Sequence, residues 1–303
     1  MSQRRSAATL ALGATLFLTA IKFVGAVLSG SVGVLSEGIH SFLDLISAAI
    51  AYVAVPRAGE PADEAHPFGH GKIETVSSLL ESVLLLGAAG FIAYESLSRW
   101  SEPGHLDHSW MAISILVVSI VVSFWVYQQN LRTSKETESM ALEVNALHFL
   151  SDVLSGLGVL TSLLLIEWTG WTWLDPLSGL GVAVYIFLIG VKQTKRALAD
   201  LVDVQLPDEE LKEIREILSR FTDPVKGIHD LRTRRSGPSR HIDFHLLVCK
   251  YLTVEESHSI CDRMEKAIEV TFPSAETQIH VEPCDNHEKQ CPYRCDRIKG
   301  GQA

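Results

Sequence analysis

Apolar residues run almost unbroken over positions 8–29, 32–55, 75–98, 109–128, 142–166 and 174–194. Each run is close to the roughly 20 residues that an α-helix needs to cross the hydrocarbon core of a bilayer. After Lys195 charges recur every few positions, and no later run is long enough to span. The pattern predicts six transmembrane helices within residues 1–205, a water-facing domain over 206–284, and a Cys- and His-containing tail over 285–303. A mean hydropathy of +0.19 over 303 residues fits that division and excludes an ordinary soluble protein.

The water-facing part has its own periodicity. It predicts a helix at 207–220, strands at 227–236 and 240–250, a helix at 253–272 and a strand at 276–283. Leu206-Pro-Asp-Glu-Glu opens like a helix start, with acids in the first turn. In the second strand Ile242, Phe244, Leu246 and Val248 alternate with His241, Asp243 and His245. In the third, Ile279 and Val281 oppose His280 and Glu282. Helices layered on one face of a three-stranded sheet would bury the apolar sets. The αββαβ order is that of an α/β ferredoxin-like domain.

Charge gives the orientation. Arg4, Arg5, Arg57, Lys72, Arg132, Lys135, Lys192, Lys195 and Arg196 all fall on the side of the first residues, and Arg99 alone on the other. Cytoplasmic loops carry the excess of Lys and Arg, so both termini are expected in the cytoplasm. Trp168, Trp171 and Trp173 fall at the opposite interface, where aromatic belts form. Arg4 and Arg5 before an apolar run resemble a signal peptide, but the run is long for one and five more follow, so it reads as a retained helix. The net charge of −10 argues against a nucleic-acid partner. All five cysteines lie after the last span, where a reducing compartment favours burial or metal binding over disulfides. Cys249 and Cys261 read as buried small hydrophobes.

Two segments inside the apolar runs carry the chemistry. His40-Ser-Phe-Leu-Asp44 and His148-Phe-Leu-Ser-Asp152 each put an imidazole and a carboxylate four residues apart, on one face of a helix. Ionisable groups at membrane depth are costly and mark functional sites. Two imidazoles and two carboxylates would close a four-coordinate site for a divalent ion, with zinc the most comfortable occupant. Without thiolate or thioether the set does not suit Cu(I), and its imidazoles disfavour Mg²⁺ and Ca²⁺. Fe²⁺, Co²⁺, Ni²⁺ and Cd²⁺ remain open. Two carboxylates neutralise a divalent ion, and the histidines can hold protons when the ion is absent. Such a site can exchange protons for metal. The competing reading of either pair is a hydrogen bond between helices. Glu37, Glu81 and Lys22 also lie at membrane depth and receive no role from the sequence.

Between the second and third runs, Asp63, His66 and His70 sit in Pro61-Ala-Asp-Glu-Ala-His-Pro-Phe-Gly-His-Gly-Lys72; spacing alone fits either a metal site or an ordinary polar loop. His66-Pro-Phe-Gly-His-Gly-Lys72, the two His-x-x-x-Asp pairs and Leu231-Arg-Thr-Arg together resemble the cation diffusion facilitator family, most of all its bacterial zinc and iron efflux branch. The resemblance extends from the first helix to about Cys284. It implies a homodimer in the inner (plasma) membrane, moving a divalent metal out of the cytoplasm in exchange for protons by alternating access. By position, His40, Asp44, His148 and Asp152 match the family's transport site, and Asp63, His66 and His70 its loop site. Lys72 and Asp203 match a salt bridge joining membrane part and cytoplasmic domain. Some bacterial relatives have Asp at this first position; here it is His40, as in strongly zinc-preferring members, and the resemblance therefore makes zinc the expected cargo.

The resemblance further matches His229, His245, His258, His280 and Glu282 to a zinc cluster near the cytoplasmic dimer interface, with Glu282 replacing a family Asp. The tail offers Cys284, His287, Cys291 and Cys295. Their spacing would close a tetrahedral zinc site, serve a metal-capturing tail, or leave unrelated thiols. Two other functions compete. An intramembrane metalloprotease lacks the His-Glu-x-x-His motif, so no enzyme is expected. A membrane-anchored metal sensor gives the two buried pairs nothing to do.

Overall fold

The computed structural model describes residues 2–29, 32–101, 110–169, 171, 173–222 and 225–284, with the side chains of a few helical residues, 32–40 among them, outside the description. Six long helices come first: α1 (Ser2–Ser29), α2 (Val32–Ala58), α3 (Gly71–Ser101), α4 (Trp110–Thr137), α5 (Met140–Thr169) and α6 (Leu174–Leu201). Their interior and exterior are inverted relative to a soluble bundle. Ala8, Ala11, Ala51, Ser78 and Ser82 are fully buried, whereas Phe17, Val27, Val121, Trp125, Phe187 and Leu188 face outward. Small residues inside and large apolar ones outside are what a lipid solvent selects. Among the described residues, five apolar segments have spanning length: Gln3–Gly25, Gly71–Ser98, Ile113–Thr137, Met140–Thr161 and Pro176–Leu201. The remaining helix, α2, is 27 residues long.

Glycine lets the helices approach. A methyl group built on Gly190 of α6 would sit 2.7 Å from Leu86 of α3, and one on Gly156 of α5 would sit 2.7 Å from Ile120 of α4. Polar ties cross the same seams. Asn130 of α4 donates to Asn145 of α5 at 2.8 Å. Glu143 of α5 accepts from Arg196 of α6 at 2.7 Å and from Gln193 at 3.2 Å. Buried Lys22 of α1 donates to Ser41 of α2 at 2.7 Å. At one end of the bundle Glu74 of α3 accepts the Ala141 N–H of α5 at 3.3 Å and lies 3.6 Å from Arg4 of α1. The Arg4 guanidinium also donates to the Thr137 carbonyl of α4.

The chain divides into two compact units between Leu201 and Val202. The second holds α7 (Asp208–Ser219), β1 (Val225–Ser236), β2 (Ser239–Val248), α8 (Val254–Thr271) and β3 (Ala275–Pro283). The sheet order is β1-β2-β3, with β1 and β2 antiparallel and β2 and β3 parallel. The β1–β2 hairpin turns at Gly237, φ +58°, before Pro238. Thr253 caps α8 by accepting the Glu256 N–H, while the Glu256 carboxylate accepts the Thr253 N–H, a reciprocal capping box. Ile242, Phe244, Leu246 and Val248 of β2 pack on Leu211, Ile214 and Ile217 of α7 and on Ile260, Met264 and Ile268 of α8. Cys249 and Cys261 are buried, as expected. Two positions depart from the expected alternation: Val281, on the edge strand β3, is 37% exposed, and His241, in the polar set of β2, is buried.

Candidate metal centres

Ligand atoms converge at two places among the described residues, each group lying within 4.8 Å. The first is the loop between α2 and α3. Asp63 Oδ1 accepts the His66 N–H at 2.6 Å and lies 3.2 Å from His66 Nδ1. Its Oδ2 lies 3.4 Å from His70 Nε2. The two rings stand 4.3 Å apart. Gly69, at φ +75°, makes the turn between them and donates to the His66 carbonyl at 2.9 Å. The His66 N–H, and after it the two rings, hold the Asp63 carboxyl below the usual carboxylate range despite some desolvation. His70 Nδ1 is buried without a hydrogen-bond partner. Three ligands on one turn, with the fourth position open, fit a divalent ion.

The second group is built by the sheet. His229 of β1 is registered against His245 of β2, and His245 against His280 of β3, so three imidazoles stand abreast. Glu282 lies between them: its Oε2 is 3.2 Å from His229 Nε2 and its Oε1 is 3.0 Å from His245 Nδ1. His280 Nε2 is farther, 3.8 Å from Oε1, outside the tightest group. The extra methylene of Glu282 therefore does not keep it from meeting two histidines. A bulge follows His229, with Asp230 at φ +54° and bonded to Arg232 at 3.2 Å. His258 is not brought to the group: on α8, its Nε2 lies 3.6 Å from Asp262. A fourth imidazole shares the sheet face. Buried His241 is registered between Arg234 and Glu276 and lies 3.4 Å from the Glu276 carboxylate. Desolvation lowers its pKa, Arg234 adding to the effect and Glu276, Asp243 and Asp203 opposing it.

The membrane pairs sit on α2 and α5, which pack on each other. The side chain of His40 lies outside the described residues. Asp44 and Asp152 are half-buried, and His148 is buried. These three described groups do not meet as tightly as the two clusters. The His148 ring instead meets the backbone carbonyl of Glu81, on α3, through Nε2 at 2.9 Å. Sequence reasoning noticed Glu81 but not that contact, which depends on how α3 packs on α5. Lys72 donates to the Leu201 carbonyl at 3.5 Å, and Asp203, at φ +57°, lies 3.9 Å from Arg234. Cys284 is buried against Cys249; His287, Cys291 and Cys295 lie outside the described residues.

An inverted apolar bundle with His-carboxylate sets on two of its packed helices, in a chain that also holds two metal-compatible clusters, defines a multi-span membrane protein that handles metal cations. Comparison with known proteins makes the class specific. The cation efflux transmembrane domain matches residues 8–202, and the cytoplasmic domain of cation efflux proteins matches residues 206–284. An uncharacterized transporter of Synechocystis sp. is 34% identical over 93% of this chain and 91% of its own length. The cation-efflux pump FieF of Salmonella choleraesuis is 32% identical over 93% and 92%. Among solved structures, the zinc form of CzrB is 41% identical over 29% of this chain and 99% of its own, with a TM-score of 0.27. This chain belongs to the cation diffusion facilitator family. It is a divalent-cation efflux transporter, and not an enzyme.

Proposed function

We propose that the cargo is zinc, exported from the cytoplasm in exchange for protons by alternating access. The transport site comprises His40, Asp44, His148 and Asp152. The observation that carries this reading is the pairing of two His-x-x-x-Asp segments on helices that pack together, α2 and α5. Two imidazoles and two carboxylates favour zinc and match its charge. The same imidazoles take up protons once the metal leaves.

In this reading α2 is the sixth span, both termini are cytoplasmic, and the protein works as a homodimer in the inner (plasma) membrane. Residues 1–205 transport and residues 206–284, a ferredoxin-like domain, bind metal and dimerise. Residues 285–303 form a tail in which Cys284, His287, Cys291 and Cys295 can take up metal. Asp63, His66 and His70 receive metal on the cytoplasmic side. His229, His245, His280 and Glu282 report cytoplasmic zinc, and Lys72 pairs with Asp203 between the two parts.

The test is flux in liposomes of purified protein, comparing Zn²⁺, Cd²⁺, Fe²⁺ and Mn²⁺ with and without a pH gradient. Zinc uptake that rises with the gradient and is abolished by Asp44→Ala or Asp152→Ala is expected. Full flux in either variant overturns the site, and gradient-independent flux overturns the antiport. A sensor would move no metal at all.

A further inference from the structure

Three carboxylates of the helical bundle invite comparison. Glu74 is fully buried and has a guanidinium 3.6 Å away, from Arg4. Glu143 has one 2.7 Å away, from Arg196. Glu81 lies seven residues after Glu74, two turns along the same face of α3, and it too is fully buried. No Lys, Arg or His side chain among the described residues pairs with its carboxylate. Oε1 accepts the Ser77 hydroxyl at 2.6 Å, the Asn145 amide of α5 stands near the carboxylate, and Oε2 is buried without a hydrogen bond of ordinary geometry.

A carboxylate so placed is costly unless a cation or a full set of hydrogen bonds compensates it. Its position says which cation is at hand. The backbone carbonyl of Glu81 holds the His148 ring at 2.9 Å, so the main chain that carries this carboxylate lies against the transport-site histidine. The seam it occupies is polar along its length: Glu74, Ser77 and Glu81 recur on one side of α3, and Ala141, Asn145 and His148 on the facing side of α5.

We propose that Glu81 is a further metal-contacting residue of the transport path, its carboxylate meeting the divalent cation beside His148. Arg4–Glu74 and Arg196–Glu143 are ion pairs within the protein; at Glu81 the cargo takes the place of the guanidinium. The same backbone contact orients His148, so one residue both steadies an imidazole ligand and supplies a charge next to it. The inference rests on the transport-site reading above.

Zinc flux in liposomes tests it with a set of variants. Glu81→Gln keeps shape and the Ser77 contact but removes the charge, and is expected to raise the KM for zinc about tenfold or more, as loss of a charged contact does. Ser77→Ala, which removes only the hydrogen bond, should leave KM within about twofold, and Glu81→Asp should recover part of the loss. An unchanged KM in Glu81→Gln, or an equal shift in Ser77→Ala, overturns the proposal and assigns Glu81 to packing as a neutral carboxyl. If Glu81→Gln is not monodisperse, Glu81→Ala, which also removes the charge, carries the test, and a wild-type KM there overturns the proposal. Asp152→Ala run alongside separates the two readings: flux surviving in it removes the transport site itself, whereas flux lost there and normal in Glu81→Gln removes only this inference.

Discussion

The loop cluster and the sheet cluster have the same formula, one carboxylate between two imidazoles, and opposite construction. Asp63, His66 and His70 come from a single turn of eight residues closed by Gly69. His229, His245 and Glu282 come from three strands, positioned by backbone register. In the loop the carboxylate is a structural member, since Asp63 also accepts the His66 N–H. In the sheet the Glu282 carboxylate meets only histidine side chains among the described residues, and the ladder holds the histidines without it. A local site can adapt to its ion, whereas a register-built one presents fixed donors.

That contrast can be broken most forcefully at Glu282. Glu282→Ala should weaken zinc binding at the sheet cluster by about a hundredfold or more, beyond the 10- to 100-fold that outer-shell losses cost, while the domain stays folded. Calorimetric titration of the protein with the loop ligands removed measures it; a loss of less than about fivefold would mean that the histidines alone suffice. Asp63→Ala should cost the loop site somewhat less, about 10- to 100-fold for a charged contact. Here the loss should come with faster amide exchange at His66 and Gly69, a signature that Glu282→Ala must not show in its strands. Gly69→Ala is gentler still. No atom lies within 4 Å of the added methyl group, so the cost is that of φ +75° alone, about 1–2 kcal/mol. Loop affinity should fall about fivefold to thirtyfold, and an unchanged affinity would show that the turn is not needed to hold the ring pair.

The smallest effect sharpens the comparison from within the sheet. His241 has a carboxylate partner but also Arg234 beside it, which keeps a cation away. Its pKa is lower folded than unfolded. The unfolded chain therefore binds more protons between the two values, and stability is full above the unfolded value, near 6.5, and declines as pH falls below it. Lowering pH from about 7.5 to 5.5 should lower the domain's Tm by a few degrees, and His241→Phe should flatten that slope. A slope unaffected by the substitution would assign it to other groups.

How much of this was legible depends on the distance over which the determining contact acts. The long helices followed from apolar runs of spanning length, and the sheet face from period-two alternation in 242–248. Both are local patterns. The loop triad was ambiguous by spacing and drew its meaning from the surrounding motif. Val281 broke the alternation because edge position depends on strand order. His258 lies on α8 beside Asp262, since its motif match carries no information about which face of the helix meets the sheet. The contact between Glu81 and His148 spans 67 residues. Nothing in either segment alone announces it.

The Arg4 tie has a consequence for assembly. Its partners, Glu74 of α3 and the Thr137 carbonyl of α4, lie 70 or more positions downstream. During synthesis the first helix is inserted while those groups have yet to be made. It must wait in the bilayer, joined to α2 but unfastened at its leading end, until the end of α4 has emerged. The locking of α1 therefore depends on helices made well after it, so changes at Arg4 should act on the yield of assembled protein before they act on the chemistry of transport.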